Sequence, residues 1–332
     1  MQGRQYSYRH RRASMRRRSR VLGRRKGGGG SGGRSGGGGG RISGLGSGGR
    51  SGTISTGTGP ARTATYTSNS APIPPSAVIV GGQIYAGRAA GGAGRKDIYG
   101  TSTYGSGYPG INGRGTAGRG FPFFFWPVIW PIAIGTGAGL TYLNGNGEYG
   151  NPSNTTRPGG PMMFATFTSG NDGNPSLTFR LVADNATVQS LVEDISANCS
   201  SFLWESATST SDQASNVPIA VYADSPSTAI PRPESVIQYY RSSSIALSLD
   251  GYVNSATYST NTGAANTPLP KLDIEGQELL VCLNETIGAA APLVTGVGDA
   301  SNVASVAGNV IPVVIIILVV LILGTVALKY GC

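Results

Sequence analysis

Leu177-Thr-Phe-Arg-Leu-Val-Ala-Asp-Asn-Ala-Thr-Val-Gln-Ser-Leu-Val-Glu-Asp-Ile-Ser-Ala-Asn-Cys-Ser-Ser-Phe202 changes its hydrophobic period partway along, and that change decides the fold. Leu177–Ala183 has the composition of a strand. From Thr187 onward, Val188, Leu191, Val192, Ile195, Cys199 and Phe202 recur at steps of three and four, which places them on one helical stripe. Asn185 stands near the start of that helix.

Working outward, Met162–Thr168 and Ile245–Leu249 also read as strands. A polar Ser/Thr loop occupies 206–216, and Glu234–Tyr240, after two prolines, reads as a short helix. Ile274–Ile287 predicts a second long helix with Leu280, Leu283, Asn284 and Ile287 along one side. Residues 161–292 are thus expected to form a small α+β domain of mixed sheet and helix, within the ordinary size of a domain.

The flanks have a different character. The chain has 332 residues and 53 glycines, most of them before Gly160, and glycine is costly to order and brings nothing to a core. Residues 1–97 therefore read as a disordered, basic, Gly/Ser-rich region, and 98–160 as a Gly/aromatic-rich segment. Within the latter, 121–143 is strongly apolar, and Phe121–Ile134 is free of charge. Three prolines and a run of aromatics there fit an interfacial or re-entrant membrane segment, a span, or a hydrophobic brace on the downstream domain. A linker at 293–309 leads to Val310–Leu328, an uncharged apolar run that predicts a C-terminal transmembrane helix, with Lys329 snorkelling at its end.

Charge divides the chain too. Residues 1–120 hold 20 Lys+Arg against a single acid, Asp97, whereas 121–308 hold 5 basic residues and 15 acids. The overall +10 belongs to the first half, and the foldable half is acidic. One histidine, His10, lies in the basic tail, which argues against Ser-His-Asp, Cys-His and His-zinc chemistry. Cys199, Cys282 and Cys332 offer no C-x-x-C pair. No cofactor, metal or catalytic residue is expected.

Cys199 and Cys282 sit on two predicted helices that can pack together, so either a disulfide or two buried thiols fits. Asn154, Asn185, Asn198 and Asn284 each open an N-x-S/T sequon, all in the acidic half. Ser14 and Ser19 follow basic residues as in kinase sites. The acids Glu193-Asp194 and Asp273/Glu275/Glu278 cluster at helix starts or polar faces, where a carboxylate has structural uses. Gly-x-Gly-x-x-Gly occurs at 105–110, 113–118 and 145–150, never between a strand and a helix as phosphate binding requires.

Tyr104-Gly-Ser-Gly-Tyr-Pro-Gly110, Gly118-Arg-Gly-Phe-Pro-Phe-Phe-Phe-Trp-Pro127, and Glu148-Tyr-Gly-Asn-Pro152 through Arg157-Pro-Gly-Gly-Pro-Met162 resemble a family of uncharacterised fungal membrane-associated proteins, over about Ile98 to Leu293. That resemblance implies no activity and no site residues; members often begin with a secretory leader, and here only Val21-Leu22 follows the basic start.

Together these features predict a non-enzymatic, membrane-anchored glycoprotein in the plasma membrane or secretory pathway, with an extracytoplasmic domain in an interaction or structural role. Its expected partners are the lipid bilayer and cell-wall or membrane proteins. The alternative is a tail-anchored, cytosol-facing protein whose Arg/Gly tail binds RNA or anionic lipid.

Overall fold

The structure, a computed structural model, describes residues 50–55, 61–66, 77–79, 81, 85–110, 113–130, 143, 148–171, 174–204, 217–222, 230–259, 261 and 263–294. The chain divides into Met1–Ser43, outside the described residues, and Gly44–Cys332, to which every described residue belongs. In chain order the elements are β1 (Ser51–Ile54), β2 (Arg62–Thr65), β3 (Ala77–Val78), β4 (Ala89–Ala90), β5 (Met162–Asn171), β6 (Asn174–Asp184), α1 (Asn185–Asn198), β7 (Ile219–Val221), β8 (Val236–Tyr240), β9 (Ile245–Leu249), α2 (Ile274–Ala290) and β10 (Leu293–Val294).

The central sheet runs β7-β5-β6-β9-β8 and is antiparallel throughout. Its strands alternate apolar residues toward both faces. Phe179, Leu181 and Ala183 of β6 join Ile245, Leu247 and Leu249 of β9 in one cluster with α1 and α2. Val182 and Ala246 enter a second cluster on the opposite face. A sheet that is apolar on both sides needs a cover on both sides. Helices supply one; the Gly/aromatic segment supplies the other through Tyr104, Phe121, Trp126, Val128, Ile129, Trp130 and Tyr149. Phe123 and Phe125 reach the helical side instead.

That placement decides among the readings of the Phe-rich stretch, as far as it is described: Phe121–Trp130 is a buried brace on the sheet, and 131–142 lie outside the described residues. Among the described residues, no helix is long and apolar enough to cross a membrane. The two α-helices have 14 and 17 residues, each with one face against the sheet, where a span needs about 20 apolar residues. This corrects the expectations of a transmembrane helix, of membrane-anchored or tail-anchored function, of a lipid-bilayer partner, and of a plasma-membrane or secretory-pathway location. Residues 310–328, where the sequence places the anchor, lie outside the described residues.

Two further differences follow from packing. Glu234–Tyr240 is not a helix: Pro233–Ser235 makes one 3-10 turn and Val236–Tyr240 is strand β8. Pairing with β9 and with the 98–101 segment, through Tyr239 N–H to Thr101 O (3.0 Å) and Arg241 N–H to Ile98 O (2.6 Å), overrides local propensity. Within the segment read as coil, β1 and β2 pair in an antiparallel hairpin, and β2 pairs with β10. Ile54 and Ala64 are buried there, which offsets the cost of ordering so glycine-rich a chain.

Candidate functional site

The α1 N-terminus brings together the Arg157–Pro161 loop, the β8–β9 turn and the segment after α2. Asp184 caps the helix: its Oδ1 accepts from Thr187 N–H (2.9 Å) and its Oδ2 from Thr187 Oγ1 (2.7 Å). The neighbouring N–H groups are taken as well, Asn185 by Pro161 O and Ala186 by Gly159 O. Gly159 has φ +84°, and a Cβ there would collide with the Asp184 carboxylate. Only glycine lets the Arg157–Pro161 loop pass this close.

Arg241 completes the centre from the β8–β9 turn. Its Nη2 donates to Asp184 Oδ2 (2.9 Å) and Thr187 Oγ1 (3.0 Å), Nη1 to Pro292 O (2.8 Å), and Nε to Ser244 Oγ (2.7 Å). Its guanidinium lies 3.3 Å from the centroid of the Phe125 ring. Arg241 is 0% and Asp184 3% exposed, so this is an ion pair sealed from water. Burial pulls the Arg241 guanidinium down to about 10, with Asp184 opposing, and it remains a cation at neutral pH.

The turn itself is unusual. Arg241, Ser242 and Ser243 have φ of 48°, 50° and 61°, three successive non-glycine residues in the left-handed region. Each such residue costs about 1–2 kcal/mol. The surroundings hold them there: Ser242 Oγ donates to Gly107 O (2.7 Å), Gly105 N–H donates to Ser243 Oγ (2.9 Å), and Val128 N–H donates to Ser243 O (2.8 Å). Gly105 (φ +95°) and Gly107 (φ +84°) come from the first Gly-x-Gly-x-x-Gly run, which serves here as a cradle for this turn.

The residues singled out in the sequence are scattered. Cys199 at the end of α1 is joined by a disulfide to Cys282 of α2, closing a separation of 83 residues. In the chain-entropy account such a loop contributes about 4.5 kcal/mol. Of the sequon asparagines, Asn198 is exposed and the others are partly buried. Asn154 Oδ1 accepts from Thr156, Asn185 Oδ1 from Gln189, and Asn284 Oδ1 from the Tyr240 hydroxyl. Ser14 and Ser19 lie outside the described residues.

The acids have structural partners. Arg50 grips Asp194 through two hydrogen bonds of 2.9 Å and approaches Glu193 at 3.7 Å. Burial raises the Asp194 carboxyl, and Arg50 opposes the shift. Asp273 caps α2 by accepting from Gly276 N–H (2.9 Å) and also takes the Ser176 hydroxyl. Among the described residues no cluster of His, Cys, Asp and Glu is arranged to hold a metal.

Sequence reasoning did not single out Asp184, Arg157 or the Arg241–Ser244 turn. The available signals were an aspartate immediately before the helical period, and an arginine with three serines set between two apolar runs. No family model, curated protein or solved structure matches the chain.

Proposed function

We propose that the folded unit is a non-catalytic structural module, in which the arginine-rich half and the acidic half of the chain lock into one another. The observation that carries this reading is the pairing across the two halves: Arg50 with Asp194 and Glu193, and Arg88 with Glu148. Arg95 and Arg114 extend it by donating to the carbonyls of Ala291 and Ala264. Arginine suits this work, because its planar fork satisfies several acceptors at once and stays charged when buried.

The acids with the strongest claim to chemistry, Asp194 and Asp273, are engaged in the frame rather than aimed at a common point. Chromogenic glycoside and ester substrates incubated with the full chain are expected to show no turnover above the heat-unfolded protein. Turnover that vanishes on Asp194→Asn or Asp273→Asn would sink the reading. Asp194→Asn is expected instead to lower stability by about 2 kcal/mol, read from the denaturant midpoint, because it removes the carboxylate that Arg50 grips and leaves it only that of Glu193, at 3.7 Å.

A further inference from the structure

The β8–β9 turn joins three features around one peptide bond. The backbone is strained at Arg241, Ser242 and Ser243. The Ser243 carbonyl oxygen accepts a hydrogen bond from Val128 N–H (2.8 Å). The next residue, Ser244, has its hydroxyl fixed by a cation: Oγ accepts from Arg241 Nε (2.7 Å) and donates to Arg241 O (2.8 Å). A strained backbone leading into the bond, a hydrogen-bonded carbonyl and a positioned hydroxyl on the following residue are the parts of an N-to-O acyl shift.

We propose that the chain cleaves itself between Ser243 and Ser244. The Ser244 Oγ adds to the Ser243 carbonyl carbon while Val128 N–H holds the developing oxyanion. The tetrahedral carbon then expels the Ser244 nitrogen, which leaves as an amine carrying the hydroxyl proton, and an ester links Ser243 to Ser244 Oγ. One water hydrolyses that ester. Its oxygen ends on the Ser243 carboxylate, and one of its hydrogens restores the Ser244 hydroxyl. Arg241 is a positioning residue: its guanidinium sets the Ser244 oxygen, and Asp184 sets the guanidinium.

Release of the left-handed backbone drives the shift, and the fold tolerates the cut. β9 stays paired with β6 as well as with β8. Cys199 lies before the cut and Cys282 after it, so the disulfide keeps both pieces covalently joined. Ser243 and Ser244 are 0% and 1% exposed, which delays the arrival of water and makes the ester the longer-lived species. The event happens once, on the chain's own backbone, and goes beyond the structural reading above, which concerns turnover of other molecules.

The test uses the purified, oxidised full chain at neutral pH, with and without hydroxylamine, a small nucleophile that stands in for the water. Gels are run with and without reductant, and the smaller piece is sequenced from its amino terminus. A single unreduced species that separates into two on reduction, with a new terminus Ser244-Ile-Ala-Leu and more cutting under hydroxylamine, is the expected result. Ser244→Ala is expected to lose the two-piece pattern and Ser244→Cys to keep it through sulfur. The Ser244→Cys arm decides the matter if Ser244→Ala fails to fold. One intact reduced band in both the parent with hydroxylamine and Ser244→Cys overturns the proposal, and so does a new terminus at any other residue.

Discussion

Arg241 and Arg157 both feel the charge of Asp184 and are both sealed from water, but they are differently served. All three guanidinium nitrogens of Arg241 donate, one of them to a carboxylate. Arg157 is 2% exposed, and its Nη2 reaches only the carbonyls of Trp126 (3.3 Å) and Pro127 (2.8 Å). Its Nε and Nη1 have no hydrogen-bond partner among the described residues. Burial pulls both cations down to about 10, and Asp184 opposes the shift in each. What separates them is completion of the network. A buried charge with a full set of partners holds its neighbours in place, whereas one with missing partners carries desolvation cost without that return.

The comparison breaks most plainly at Arg241→Ala, which leaves Asp184 charged and uncompensated inside the fold. A loss of about 3–5 kcal/mol is expected in equilibrium unfolding, and a loss below 1 would mean that Asp184 finds a replacement partner. Gly159→Ala attacks the same carboxylate by collision at a left-handed φ, with an expected cost of about 3 kcal/mol. If its amide exchange shows the Asp184 cap undisturbed, the loop has moved rather than the carboxylate. Arg157→Met removes two hydrogen bonds together with a poorly served charge, and is expected to change stability by about 1 kcal/mol or less. A cost matching that of Arg241→Ala would show that the two idle nitrogens are in fact engaged. The smallest effect belongs to Asp250→Asn. Arg180 and Asp250 pair at 2.7 Å, but the carboxylate is 42% exposed, and such a surface pair is worth about 0.5 kcal/mol in a melting experiment.

Periodicity made the helices and the inner strands legible. Val188, Leu191, Val192 and Ile195 are all buried on α1, and Ile245–Leu249 is a strand as its composition predicts. On α2 the sequence puts Leu280 and Asn284 on the inner side together with Leu283 and Ile287. Leu279 and Thr286 are buried instead, a shift of about one residue in the face chosen. The centre at Asp184 was illegible for a different reason. Arg157, Asp184 and Arg241 are far apart in sequence, and an arginine bound for the interior looks like any surface arginine until its acceptors are known. The same holds for the glycine-rich first half: composition reports what a segment costs to order, and not the apolar sheet face waiting to offset it.

The strand pair β2–β10 carries a consequence for synthesis. Thr65 hydrogen-bonds Leu293 across 228 residues of chain. At roughly 5–20 residues per second, β2 leaves the ribosome on the order of 10–45 s before its partner exists. During that interval the β2 edge of the β1–β2 hairpin is open, and a strand edge without a partner invites pairing with another chain. Arg62 at the start of β2, a bulky cation beside three small or β-branched neighbours, is the kind of residue that makes such pairing between nascent copies unfavourable. The last few residues of the folded unit therefore set the time at which β2 becomes an inner strand.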